Sequence, residues 1–139
     1  MNLKDLVVDS KEVSVDYPGM EGFSVTVAYL NKETLVKMQK RCTVSKFNKK
    51  RQLETEIDFK LFNKEFAAAA VKGWSGLKYK YLESFMVVDL SKVSPEDELQ
   101  YNPDNALILL ESSNDFDGWL NEVLSDLDTF RGTAVGTAS

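Results

Sequence analysis

The sequence predicts an α+β fold in which an N-terminal antiparallel β-hairpin precedes a mainly α-helical body. Apolar and polar residues alternate on both sides of a turn within 12–30, and later segments carry apolar residues at helical spacing. The chain has 139 residues and is 43% hydrophobic, which is enough to build one core. We therefore expect a single globular domain over 1–130 and a flexible tail over 131–139.

The hairpin has the clearest local pattern. The stretch "PGMEG", residues 18–22, contains a proline and two glycines and predicts the turn. In each flanking strand the apolar side chains share one face, so two half-buried strands are expected. These apolar residues are Val13, Val15 and Tyr17 before the turn, and Phe23, Val25, Val27 and Tyr29 after it.

Five helices are predicted to form the body. Asn31, Asp58 and Asn102 are suitable N-caps, and Pro103 takes the first helical position after Asn102. The polar and basic stretch "TVSKFNKKRQLETE" loses the helical period and predicts a long exposed loop. The expected helices cover 32–42, 58–72, 79–86, 103–112 and 115–130.

The segment "KGWSGL" places a tryptophan between two glycines, directly after an alanine-rich helix. Gly73 is predicted to end that helix in a left-handed conformation, and Gly76 to let the chain turn again. Trp74 is predicted to pack between the following segment and the aromatic stripe of the helix, with a partner for its indole N–H. The segment is interpreted as a structural corner, and the stripe comprises Phe59, Phe62 and Phe66.

The composition excludes several kinds of catalysis. The chain contains no histidine and one cysteine, Cys42, which rules out histidine general bases, histidine-type zinc sites and an internal disulfide. Cys42 lies on an apolar helical stripe and is predicted to be a small core residue. The acidic clusters at 95–98 and 114–117 lack the spacing of a calcium loop. We therefore expect no enzyme, no cofactor and no metal.

The chain is acidic, and its charged residues are unevenly distributed along the sequence. The formal net charge is −5, which argues against nucleic-acid binding by the whole domain. Residues 34–53 contain seven basic and no acidic residues, whereas twelve acidic and two basic residues occur from Glu83 onward. Such asymmetry favours head-to-tail attraction between copies, and a homo-oligomer is expected.

The candidate surface for a partner or for self-association combines the basic stretch with aromatic residues of the last helix. Basic residues around an aromatic one also suit single-stranded nucleic acid. No apolar run approaches the roughly 18 residues that cross a bilayer, so a soluble cytoplasmic protein with no membrane partner is expected. The surface comprises Lys46, Phe47, Lys49, Lys50, Arg51, Trp119 and Phe130.

Most of the chain, residues 15–130, resembles one family of phage proteins. The segment "LFNKEFAAAAVKGWSGLKYKYL" is similar to a recurring piece of siphophage proteins. The stretch "YPGMEGFSVTVAYLNKETLVKMQKRCTVSKFNKKRQLETEID" resembles their front half, in which a strand pair leads to a helix, a Cys-Thr and a basic loop. The stretch "NALILLESSNDFDGWLNEVLSDLDTF" resembles their C-terminal helices. The family is the tail assembly chaperones of long-tailed bacteriophages.

The resemblance implies a non-catalytic protein that binds and solubilises the tape measure protein and assists tail tube assembly around it. It implies a location in the host cytoplasm and absence from the mature virion. Two other functions stay open. One is a small acidic phage protein that binds and inhibits a host or defence protein. The other is an accessory protein that contacts nucleic acid through the basic loop 46–51.

Overall fold

Strands are interleaved with helices along the chain in the computed structural model, which describes residues 2–8 and 10–131. The strands are β1 (Glu12–Asp16), β2 (Ser24–Ala28), β3 (Thr43–Phe47), β4 (Leu53–Ile57) and β5 (Val71–Ser75). The α-helices are α1 (Lys32–Arg41), α2 (Phe59–Ala70), α3 (Pro103–Ser112) and α4 (Asn114–Ser125). Short 3-10 helices cover Leu3–Asp5, Tyr79–Ser84 and Leu127–Phe130. The α+β class is confirmed, and the predicted tail lies, except for Arg131, outside the described residues.

The first two strands form the predicted hairpin, and a third strand joins them. β1 pairs antiparallel with β2, so that Val13 lies opposite Val27 and Val15 opposite Val25. β5 pairs antiparallel with the other edge of β2, which becomes the central strand. The prediction of a hairpin followed only by helices is therefore right for the hairpin and wrong for the rest, because the chain returns to the sheet after α2.

The prediction that Gly73 caps a helix is wrong. The helix predicted over 58–72 is α2, which ends at Ala70, and Gly73 lies within β5 opposite Thr26. Gly73 is not among the glycines with positive φ. The open edge of β2 offers backbone hydrogen bonds and a fully buried place for Val71, and these outweigh the helix propensity of the alanine run.

Gly76 and Trp74 shape the corner after β5. Gly76 has a φ of 77°, and its N–H donates to the Glu98 carboxylate at 2.8 Å. Trp74 is half-buried, and its indole N–H donates to the carbonyl oxygen of Leu99 at 2.9 Å. Its ring meets Tyr101 edge-on, with 5.1 Å between the ring centroids. Trp74 thus ties β5 to the segment that precedes α3.

Three further segments differ from the expected elements. The stretch 43–56, expected as a loop, forms nearly all of β3 and β4, which pair as a separate two-stranded antiparallel sheet. The segment expected as a helix over 79–86 is the 3-10 helix Tyr79–Ser84. The last helix stops at Ser125 because the Asp126 side chain accepts the N–H of Asp128 at 3.0 Å and starts a 3-10 turn.

The core lies between the three-stranded sheet and the helices. α2 packs against α3, and α3 packs against α4. Phe59, which the predicted stripe placed inside, is the first residue of α2 and is 67% exposed. The most buried side chains lie in or beside β2 and β5, toward the end of α1, and on α2, α3 and α4: Phe23, Val25, Val27, Met38, Cys42, Ala67, Ala70, Val71, Leu77, Ala106, Leu109, Phe116 and Leu120.

Gly76→Ala is expected to destabilise the fold strongly. An added Cβ would overlap the carbonyl oxygen of Gly22, and a φ of 77° strains any L-residue. We expect the free energy of unfolding to fall by about 2 kcal/mol or more. Gly118→Ala is the control, because a Cβ there meets open space within α4, and it should stabilise by up to about 1 kcal/mol. Urea denaturation measures both, and equal stability of the two variants would contradict this account of the turn.

Candidate protein-binding site

An apolar groove opens between α1, α2 and α4. It has a volume of about 310 Å³. Leu30 lines it from just before α1 and Leu35 from within α1, while Phe62 and Phe66 belong to α2 and Leu124 to α4. The rings of Phe62 and Phe66 lie nearly parallel, with 6.0 Å between their centroids. All of these side chains except Phe66 are only half-buried, so the groove presents apolar surface to solvent.

The rim of the groove is polar, and within the described part of the chain it carries a single charged residue, Asp117. Asn63, Asp117, Asn121 and Ser125 line it. The Asn121 amide donates to the backbone carbonyl of Asp117 at 2.8 Å and to its carboxylate at 3.1 Å. The Ser125 hydroxyl donates to the carbonyl oxygen of Asn121 at 2.8 Å. The groove can therefore accept a bulky apolar side chain and pair an adjacent cation with Asp117.

The β3–β4 hairpin is held at its base by Glu65 of α2. The Cys42 thiol, fully buried at the end of α1, donates to one Glu65 oxygen at 2.7 Å. The Arg41 guanidinium donates to the other at 3.0 Å. The N–H of Asp58, directly after β4, donates to the carbonyl of Cys42, directly before β3, at 2.7 Å. This bond joins the two ends of the hairpin. This clamp, made by Arg41, Cys42, Asp58 and Glu65, fixes the hairpin between α1 and α2.

Burial and hydrogen bonding change the titration of the clamp. Burial, followed by the hydrogen bond to the Glu65 carboxylate, raises the pKa of the Cys42 thiol to about 11. The hydrogen bonds from Cys42 and Arg41 hold the pKa of Glu65 below its ordinary value. Cys42 is thus a protonated core residue and no nucleophile at neutral pH, in accordance with its predicted burial.

The hairpin itself projects into solvent and has two unlike faces. Residues directly opposite share a face, so the pairing places Phe47 beside Leu53, Ser45 beside Thr55 and Thr43 beside Ile57 on a face without charges. The other face carries Val44, Lys46, Glu54 and Glu56. Phe47 is 72% exposed and Leu53 is 64% exposed. The uncharged face therefore offers an apolar pair close to the turn.

The turn of the hairpin holds three exposed basic residues. The Asn48 side chain organises it by accepting the N–H groups of Lys50 at 2.8 Å and Gln52 at 2.9 Å. Arg51 takes a φ of 59°, the only positive φ of a non-glycine residue in the described part of the chain. Lys49, Lys50 and Arg51 all lie exposed at the tip.

The structure brings together part of the predicted surface and separates the rest. Phe47, Lys49, Lys50 and Arg51 share the hairpin, whereas Lys46 pairs with Glu56 across the strands at 2.7 Å. Phe130 is wrongly assigned to a surface, because it is buried against Tyr29 with 5.3 Å between ring centroids. Trp119 is half-buried and packs on Tyr17 at 4.8 Å.

Sequence reasoning missed Leu53 and the groove. In "LETEI", Leu53, Thr55 and Ile57 alternate with two glutamates, which is a strand signal. The many charged residues around it obscured this signal. The groove joins residues from distant segments, so no local pattern marks it. Among the described residues, no helix has both the length and the apolar character that crossing a bilayer needs, and no acidic or cysteine cluster is placed to hold a metal.

The stability of the protein is expected to fall as the pH rises from about 9 to about 11. The folded state holds the Cys42 proton more tightly than the unfolded chain, whose thiol titrates near 9. The stabilisation is therefore complete below the lower value and lost through the higher one. Urea denaturation across this range should show that the free energy of unfolding falls more steeply for the native protein than for Cys42→Ala. The variant keeps every tyrosine, so it controls for other groups that lose protons at this pH. Parallel declines would contradict the raised pKa of this thiol.

No family model matches the chain, and no curated protein and no solved structure matches it either.

Proposed function

We propose that this protein is a non-catalytic tail assembly chaperone of a long-tailed bacteriophage. It binds and solubilises the tape measure protein and assists assembly of tail tube subunits, in the host cytoplasm and outside the mature virion. The observation that carries the proposal is the half-exposed apolar groove between α1, α2 and α4. The resemblance of residues 15–130 to that family supplies the client.

The groove suits an amphipathic helix better than a small molecule. Side chains of three helices line it, and its apolar residues are mostly half-exposed, as in grooves that receive the apolar face of a partner helix. A long helical client exposes such a face repeatedly before tail tube subunits enclose it. Covering that face from water would prevent the client from aggregating.

Charge favours a client helix with basic residues beside its apolar positions. Asp117 is the one charged residue among the described residues that line the groove, and its carboxylate accepts a hydrogen bond from Asn121, which also lines the groove. A Lys or Arg one turn from the apolar anchor would reach it. The net charge of −5 would keep the complex soluble through mutual repulsion.

Obstruction of the groove is expected to abolish client solubilisation. Asn121→Arg combined with Ser125→Arg puts two long side chains over the groove from exposed positions, so the core stays intact. Co-expression with the tape measure protein of the same phage should yield soluble client with the native protein and about tenfold less with this variant. The measurement is the soluble fraction of the client after centrifugation.

The matched control is Gln100→Arg combined with Ser94→Arg. Both residues are exposed and lie outside the groove, and the pair adds the same charge. It should leave the client soluble, and circular dichroism should show that both variants fold. Equal loss with the two variants would point to a charge effect, and full solubility with both would remove the groove as the client site.

A further inference from the structure

We propose that the β3–β4 hairpin of one copy docks on the exposed face of α3 of a second copy, so that the protein self-associates head to tail. This contact uses surfaces other than the groove and goes beyond client binding. The two surfaces carry opposite charges around exposed apolar residues.

The hairpin supplies the basic surface. Lys49, Lys50 and Arg51 surround the turn next to the exposed pair Phe47 and Leu53. Among the ion pairs of the described residues, none includes any of the three tip cations. The tip therefore combines apolar area with three positive charges that are free to meet a partner.

Helix α3 supplies the acidic surface. Asp104, Ile108 and Glu111 follow one another at spacings of four and three residues and so share a face of the helix. All three are exposed, Ile108 to 53%, and α3 contains no basic residue. Asp104 forms no ion pair among the described residues, and Glu111 accepts one long hydrogen bond from Asn63 at 3.4 Å.

The two surfaces match in pattern. Ile108 would meet Phe47 and Leu53, and the acids at both ends of the helix face would meet the tip cations. The contact is heterologous, because the hairpin of one copy and α3 of the next are different surfaces, so chains or closed rings result. A hairpin tip buries less than the about 1,200 Å² of a standard interface, so each contact is weak and sensitive to salt.

Charge reversal on either surface is expected to weaken self-association. The tip variant is K49E/K50E/R51E and the α3 variant is D104K/E111K. For each variant alone, sedimentation velocity should show an association constant at least about tenfold lower than that of the native protein. An equal mixture of the two should associate again, because each altered surface then meets its opposite charge on the other variant. Failure of the mixture to associate would overturn the proposed pairing.

The charge-matched control is K32E/K60E/K64E, which reverses three exposed lysines on α1 and α2. It should associate like the native protein, and circular dichroism confirms folding of every variant. A monomeric native protein, or an equal loss in the control, would overturn the proposal. Fluorescence anisotropy with a single-stranded oligothymidine probes the competing use of the hairpin. Loss of oligonucleotide binding in the tip variant, with self-association unchanged, would assign the hairpin to nucleic acid instead.

Discussion

The carboxylate of Glu65 is the group on which both candidate surfaces depend. One oxygen accepts from Cys42 and the other from Arg41, so α2 is joined to the end of α1 at two points. The hairpin leaves the body at this joint and returns through the Asp58 N–H. The same joint holds α2 beside α1, and Phe62 of α2 and Leu35 of α1 line the same groove. A charged acceptor that is partly shielded makes such hydrogen bonds stronger than neutral ones.

The two surfaces differ in what they can recognise. The groove is walled by helices, has an apolar floor and carries one carboxylate, which suits a helix with a basic flank. The hairpin stands away from the core and presents a Phe–Leu pair beside three cations. The hairpin and the groove share no residue, so an oligomer built through the hairpins would carry one groove per copy. Several weak contacts along one long client would then add through avidity.

The sequence predicted those elements whose signals are local. Alternation on both sides of "PGMEG" located the first hairpin, and side-chain caps located α1, α2 and α3. Prediction failed where tertiary pairing decides the outcome. Val71 joins the sheet because the edge of β2 is available, and Gly73 follows it. The second hairpin, within 43–57, was missed because its strands are exposed and charged and so lack a clear apolar alternation. Phe130 was assigned to the surface because its contact with Tyr29 joins distant parts of the sequence.

Site-specific photo-crosslinking tests the central claim, that the groove holds a client helix, most directly. A photoreactive phenylalanine analogue at Asn121 lies on the groove rim, and the same analogue at Asp97 lies on an exposed loop outside the groove. With the tape measure protein present, the account predicts a crosslinked complex from position 121, mapped by mass spectrometry to the apolar stripe of a client helix, and none from position 97. Crosslinking from position 97 alone, or from neither position while the client stays bound, would contradict it.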